Sequence, residues 1–307
     1  MSETAAATPV QPALRVLLHS VVDYAGLFPP ASLRMADAVA EYADQREGPD
    51  AWALGRFVLP AARLDEFHDA AASVLPRESA HSWALSALLG SDIEEDVDRT
   101  ERFNARHQDA RSGAVLVDTV ELKTHTTRDV ARASELLDRR FDTYMEIPVV
   151  DDPAELVEAI SRTTAKAKIR TGGVTADAFP TSAQVARFAA RCVGHDVAFK
   201  ATAGLHHPWR AEYRLTYATD APTGLMFGFL NVLLGVAALH AKLTADQAIA
   251  LLEERDPASV EFDQAGARWR GHQFPLELLS RARDTMRAFG SCSFREPVGD
   301  MRAMHLL

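Results

Sequence analysis

Two stretches decide how this chain is read: Ala167-Lys168-Ile169-Arg170-Thr171-Gly172-Gly173, and then Val197-Ala198-Phe199-Lys200-Ala201-Thr202-Ala203-Gly204. Each is a short apolar run of strand character that holds one lysine and ends at glycine. The lysines lie 32 residues apart, about the length of one strand–helix–strand unit, so they fall side by side on adjacent parallel strands. Lysine is scarce here: the chain has five lysines among 33 basic residues. Arginine therefore serves wherever a plain positive charge suffices. A buried lysine can give up its proton and attack a carbonyl, which arginine cannot do.

The same alternation extends outward. Strands are predicted at Val16–Asp23, Arg56–Pro60, Trp83–Leu89, Ala114–Val120, Thr143–Val149, Ala167–Thr171, Val197–Thr202 and Ala288–Ser293, with amphipathic stretches between most of them. Asp65 and Glu66 mark the first turn of a helix over Leu64–Leu75, where negative charge suits the helix dipole. Asp152-Pro153 opens a helix to about Thr163. Thr181-Ser182 caps Ala183–Cys192, and Thr244 with Gln247 forms a capping box before Ala245–Glu254. Eight strands alternating with helices read as an α/β fold, a (β/α)8 TIM barrel. The barrel is expected over residues 14–307, after a flexible tail of residues 1–13. The seventh and eighth strands are too far apart for a simple barrel unit. Residues of about 205–287 form a structured insertion at an active-site mouth, serving as a lid or a homo-oligomer contact.

Composition narrows the class. The net charge of −10, without a basic run, argues against nucleic acid or an anionic membrane surface as partner. Two cysteines, Cys192 and Cys292, are too few for a disulfide scaffold, so a reduced, cytoplasmic setting is expected. The most apolar run, near Gly224–Leu239, is too short to span a bilayer and contains Asn231. The N-terminal residues lack the pattern of a signal peptide.

Residues two apart on a strand share a face, so Lys168 and Arg170 point the same way. In a dry barrel, desolvation and the Lys200 charge are expected to push the Lys168 pKa down. A neutral amine there forms a Schiff base with a small aldehyde or ketone. Proton carriers are sought among acids inside apolar strands: Asp118, Glu121 and Glu146. A buried lysine that merely pairs with a neighbouring carboxylate is the structural alternative.

The stretch Lys168-Ile-Arg-Thr-Gly-Gly, then Phe179-Pro-Thr-Ser-Ala, then Val197-Ala-Phe-Lys-Ala-Thr-Ala-Gly resembles deoxyribose-phosphate aldolases, class I barrel lyases. Val22-Asp23-Tyr, Arg56-Phe-Val-Leu-Pro, Gly113-Ala-Val-Leu-Val-Asp118 and Phe289-Gly-Ser-Cys-Ser extend the similarity loosely. The resemblance implies that Lys168 forms the Schiff base, that Lys200 lowers its pKa, and that Asp118 helps a bound water move protons. It implies no cofactor and a small carbonyl substrate. Substrate contacts fall to Asp23, Arg170, Gly172, Gly173, Gly204, His206, Gly290 and Ser291. Where the family has paired glycines after the second lysine, this chain reads Ala203-Gly204 followed by Leu205-His206-His207-Pro208. Its Thr-Ser after the first lysine is Ile169-Arg170 here. These departures point to an aldehyde or keto compound whose carboxylate meets Arg170, rather than to deoxyribose 5-phosphate.

Two other classes stand beside this reading. His206 or His207 with Glu146 or Glu121 would make a metal-dependent barrel hydrolase, lyase or isomerase. A barrel without catalysis would serve as a binding or assembly subunit. Trp209 is a candidate substrate wall, Asn231 a tie between helices, and Trp52 and Trp83 packing residues.

Overall fold

A computed structural model describes residues 10–307. The chain runs α1 (Pro12–Leu18), β1 (Val22–Tyr24), α2 (Met35–Glu47), β2 (Leu54–Pro60), α3 (Leu64–Ala71), β3 (Trp83–Leu88), α4 (Ile93–Arg106), β4 (Val115–Lys123), α5 (Thr127–Leu137), β5 (Asp142–Glu146), α6 (Ala154–Ser161), β6 (Lys166–Arg170), α7 (Ser182–Gly194) and β7 (Phe199–Thr202). A hairpin follows, β8 (Ala211–Arg214) and β9 (Thr223–Met226), then α8 (Phe229–His240) and α9 (Ala245–Leu252). A small antiparallel sheet, β10 (Val260–Phe262), β11 (Gly266–Trp269) and β12 (His272–Pro275), leads into α10 (Leu276–Thr285), β13 (Met286–Ser291) and α11 (Arg295–Ala303).

Eight parallel strands close a barrel in the order β1-β13-β7-β6-β5-β4-β3-β2. This is the expected TIM barrel. Lys168 and Lys200 are paired in register across β6 and β7. Alternation sets their direction. Phe199 turns outward onto Phe188 of α7, ring centroids 5.1 Å apart, which leaves Lys200 facing the barrel interior. Outside the barrel, Tyr42, Phe57, Phe67 and Trp83 interlock, with Trp83 edge-on to Tyr42 at 4.9 Å. Trp52 carries the Arg15 guanidinium over its ring.

Three boundaries differ from expectation. Val16 and its neighbours are helical: Ala13, Leu14, Leu17 and Leu18 recur at helical spacing and are all buried, so only Val22–Tyr24 is strand. Pro12 and Ala13 thus belong to α1 rather than to a tail, and residues 1–9 of that tail lie outside the described residues. The insertion is smaller than its length suggests. Helix α8 is buried along most of its length and packs on α7, α10 and β13, while α10 packs on β13 and α1. Both helices therefore belong to the barrel's outer layer. The additions are the β8–β9 hairpin, α9 and the β10–β12 sheet. Asn231 ties them in: its Nδ2 donates to the carbonyls of Leu251 and Glu254, and its Oδ1 accepts from the Arg210 backbone.

Candidate active site

The face of β6 that carries Lys168 also carries Lys166 and Arg170, and each meets a different layer. Lys166 pairs with Asp142 at the start of β5. Lys168, 5% exposed, lies one layer up, and Arg170 reaches the mouth. Lys168 Nζ stands 2.9 Å from Glu121 Oε2 and 2.8 Å from Glu146 Oε2. Lys200 Nζ donates to Glu121 Oε1 at 2.6 Å and to Asp23 Oδ2 at 2.5 Å. One carboxylate, Glu121 of β4, thus bridges both amines, and Ser86 Oγ donates a further bond to it at 2.6 Å. Asp23 also accepts from the Arg56 backbone N–H. Gly55 makes room for this contact, since a Cβ there would come within 2.4 Å of Asp23 Oδ1.

Two cations and three carboxylates therefore share one buried network, with one negative charge in excess. This corrects an expectation. Burial alone would lower both lysine pKa values, but Glu121 and Glu146 outweigh it at Lys168, and Asp23 and Glu121 outweigh it at Lys200; both stand above the ordinary lysine range. Burial would likewise raise Glu121, but the two ammonium groups hold it well below the usual carboxylate range. Lys200 does not leave Lys168 uncharged, because each has carboxylates of its own.

Asp118 is not part of this group. The register between β3 and β4 shifts so that Leu85 pairs with Val117 and Ser86 with Thr119, which leaves Asp118 as the extra residue of a bulge. It forms a bidentate pair with Arg56 at 2.6 and 2.9 Å, beside Arg140, Phe141 and Asp142 at the N-terminal side of the barrel. The shift brings Glu121 to the lysines instead. Glu121 and Glu146 were legible only as acids inside apolar strands.

Above the network lies a cavity of about 260 Å³. Glu121, Lys168, Lys200, Arg170, Gly173, Gly204, His206, Gly290 and Cys292 line it, with Phe28, Pro29, Pro30, Val58, Leu88 and Val174 as an apolar wall. Of the expected substrate contacts, Asp23 lies below it as the partner of Lys200. Gly172 packs under Phe179, whose ring would sit 2.5 Å from an added Cβ. Arg170 donates to the Gly172 carbonyl, steadying its own loop at the mouth. Thr171 Oγ1 donates to the Ala203 carbonyl at 2.7 Å, and Ala203 and Gly204 both adopt positive φ as the chain leaves β7. Trp209 is buried and does not line the cavity.

The histidine pair has carboxylate partners of its own, outside the lysine network. His206 Nδ1 lies 3.3 Å from Glu296 Oε2 of α11, 3.3 Å from Ser291 Oγ and 3.8 Å from Cys292 Sγ. Tyr217, on the loop between β8 and β9, bonds the same Cys292 and Glu296. Burial works against charge on His206, but its hydrogen bonds to Cys292 and Glu296 prevail and raise its pKa to about 9. His207 Nδ1 pairs with Asp300 at 2.6 Å and stacks on Tyr213. Neither histidine meets Glu121 or Glu146. Among the described residues, no three histidine, cysteine, aspartate or glutamate side chains gather as a metal site would need. Among those residues, too, no helix is long and apolar enough to cross a membrane.

No protein-family model matches the chain, and no curated protein sequence matches it.

Proposed function

We propose that the chain is a lyase of the class I aldolase type, making or breaking a carbon–carbon bond through a Schiff base on Lys168. The observation that carries this reading is the environment of Lys168: an amine at the floor of a small, largely apolar cavity, with two carboxylates within 2.9 Å of it. An ammonium held this way is not yet a nucleophile. It becomes one by passing a proton to a carboxylate as the carbonyl approaches. Glu146, the more open of the two partners, is the acceptor. The neutral amine adds to the carbonyl carbon, water leaves, and the resulting iminium takes up the electron pair of the carbon–carbon bond that breaks. Lys200, itself anchored by Asp23, keeps Glu121 ionised and fixed beneath the reacting nitrogen. The cavity suits a small aldehyde or ketone, and Arg170 at its mouth suits a carboxylate on that substrate.

A second reading rests on the same network. Every charged group in it is already paired, which by itself accounts for two buried lysines in a barrel without catalysis.

Sodium borohydride added with small aldehydes and keto acids separates the two. The proposal expects a covalent mass increase of one reduced substrate per chain, absent in Lys168→Arg, which keeps the charge and removes the nucleophile. An unmodified wild-type mass across the panel would overturn it.

A further inference from the structure

The lysine network draws on β1, β4, β5, β6 and β7 at the floor of the cavity, while the end of β13, between β1 and β7, is built differently. There His206 lines the cavity with Cys292 and Gly290. Its Nδ1 lies near Glu296, Ser291 and Cys292, and among the described residues no hydrogen bond or ion pair involves its Nε2. Glu296 reaches Nδ1 from α11, and Tyr217 of the β8–β9 loop donates to that carboxylate. An imidazole that lines a substrate cavity, with a carboxylate at one nitrogen and no hydrogen-bond partner at the other, is the arrangement that exchanges protons with a bound molecule.

We propose that His206, oriented by Glu296, is the acid–base residue that serves the substrate oxygen remote from Lys168. The inference rests on the Schiff-base reading of Lys168 and extends it to the second half of the reaction. His206 packs against the end of β13, two strands from Lys168 on β6. With neighbouring strands about 4.8 Å apart, the two groups rise from strands about 10 Å apart and line one cavity. In bond formation the enamine carbon attacks an acceptor carbonyl, and the carbonyl's π electrons move to oxygen. That oxygen takes the proton from His206 Nε2 and becomes a hydroxyl. In cleavage the hydroxyl proton returns to Nε2, the O–H electron pair becomes the carbonyl π bond, and the carbon–carbon electron pair passes to the iminium nitrogen. A charged His206 at neutral pH, consistent with its raised pKa of about 9, favours the addition direction. The groups facing it are Glu296 of α11, Ser291 at the end of β13 and Cys292 just after it; Tyr217 bonds Cys292 and Glu296 in turn, and the adjacent His207 pairs with Asp300 and lies 3.9 Å from Glu296.

The experiment uses acetaldehyde, the smallest carbonyl compound able to act as both donor and acceptor, with the wild-type protein, His206→Gln and Glu296→Gln. Borohydride trapping reports the Schiff base, and formation of 3-hydroxybutanal reports the condensation. The proposal expects the His206→Gln adduct to form as in wild type while condensation falls on the order of 100-fold. It also expects the alkaline loss of condensation, centred near pH 9 in wild type, to move to lower pH in Glu296→Gln. Condensation unchanged in His206→Gln, trapping lost along with it, or an unmoved pH profile in Glu296→Gln would each overturn the assignment. So would a wild-type protein that traps acetaldehyde but condenses none. A wild-type protein that traps nothing would instead overturn the Schiff-base reading, and this inference with it.

Discussion

Glu121 is the residue on which the site turns. Its two oxygens each hold a different ammonium, and Ser86 fixes the orientation. Glu121→Gln would keep the shape and remove the shared counter-charge, leaving two buried cations with fewer partners. Breaking a buried pair costs about 3–5 kcal/mol, so a fall of that size in unfolding free energy is expected by urea titration at neutral pH. Lys168 should also titrate lower in that variant, because a carboxylate that raises it is gone. The sequence made the two lysines legible: their rarity, spacing and apolar flanks led to neighbouring, inward-facing positions, as found. It did not reveal which acid meets them. A bulge at Asp118 is invisible in a linear pattern, because the residues on either side keep their strand character. The same limit hid the charge state, since a cation's pKa depends on how many carboxylates converge on it from strands distant in sequence.

At the scale of elements, local chemistry is more legible in the sequence than tertiary context. Thr244 forms the capping box that its spacing to Gln247 predicts, and the expected cap at Thr181 is likewise completed by Gln184. Thr181→Ala should cost about 1 kcal/mol, measured as a lower thermal midpoint; α7 backs the β6–β7 pair, so the change tests stability without touching the cavity. Gly55→Ala is a harsher case. The new Cβ would press on Asp23, and Asp23 anchors Lys200, so both stability and trapping should fall. The first predicted strand failed because Val16 and Leu17 suit strand and helix alike, and only the recurrence of buried positions along Pro12–Leu18 decides. The insertion is smaller than its length suggests for a similar reason. Length between strands does not say which helices complete the outer layer, and α8 and α10 do.

For the molecule as a whole, the barrel brings acids from β1, β4 and β5 to amines on β6 and β7, and this sets how stability responds to pH. Glu121 is held below its ordinary pKa, so its contribution is full above the usual glutamate value of about 4.3 and is lost as pH falls below it. Lys168 and Lys200 are raised, so theirs is full below about pH 10.4 and is lost as pH climbs through their folded values. His206 is raised to about 9, so its contribution declines between about pH 6.5 and that value. Urea unfolding across pH should therefore show the wild-type advantage over His206→Gln shrinking through that interval. The barrel was legible because eight apolar runs alternate with helices. The placement of a mouth at the strands' C-terminal ends followed from the fold, and the cavity lies there with Lys168, Lys200, Gly204, His206 and Gly290 around it.

Peptide mapping of the borohydride-reduced protein addresses the nucleophile directly. After reaction with a trapped aldehyde and proteolysis, tandem mass spectrometry should find the added mass on Lys168 and on no other lysine. An adduct on Lys200 would reverse the roles of the two amines. Recovery of Lys168 unmodified, with no adduct anywhere, would contradict the account and leave the ion-pair network as a feature of the barrel's architecture alone.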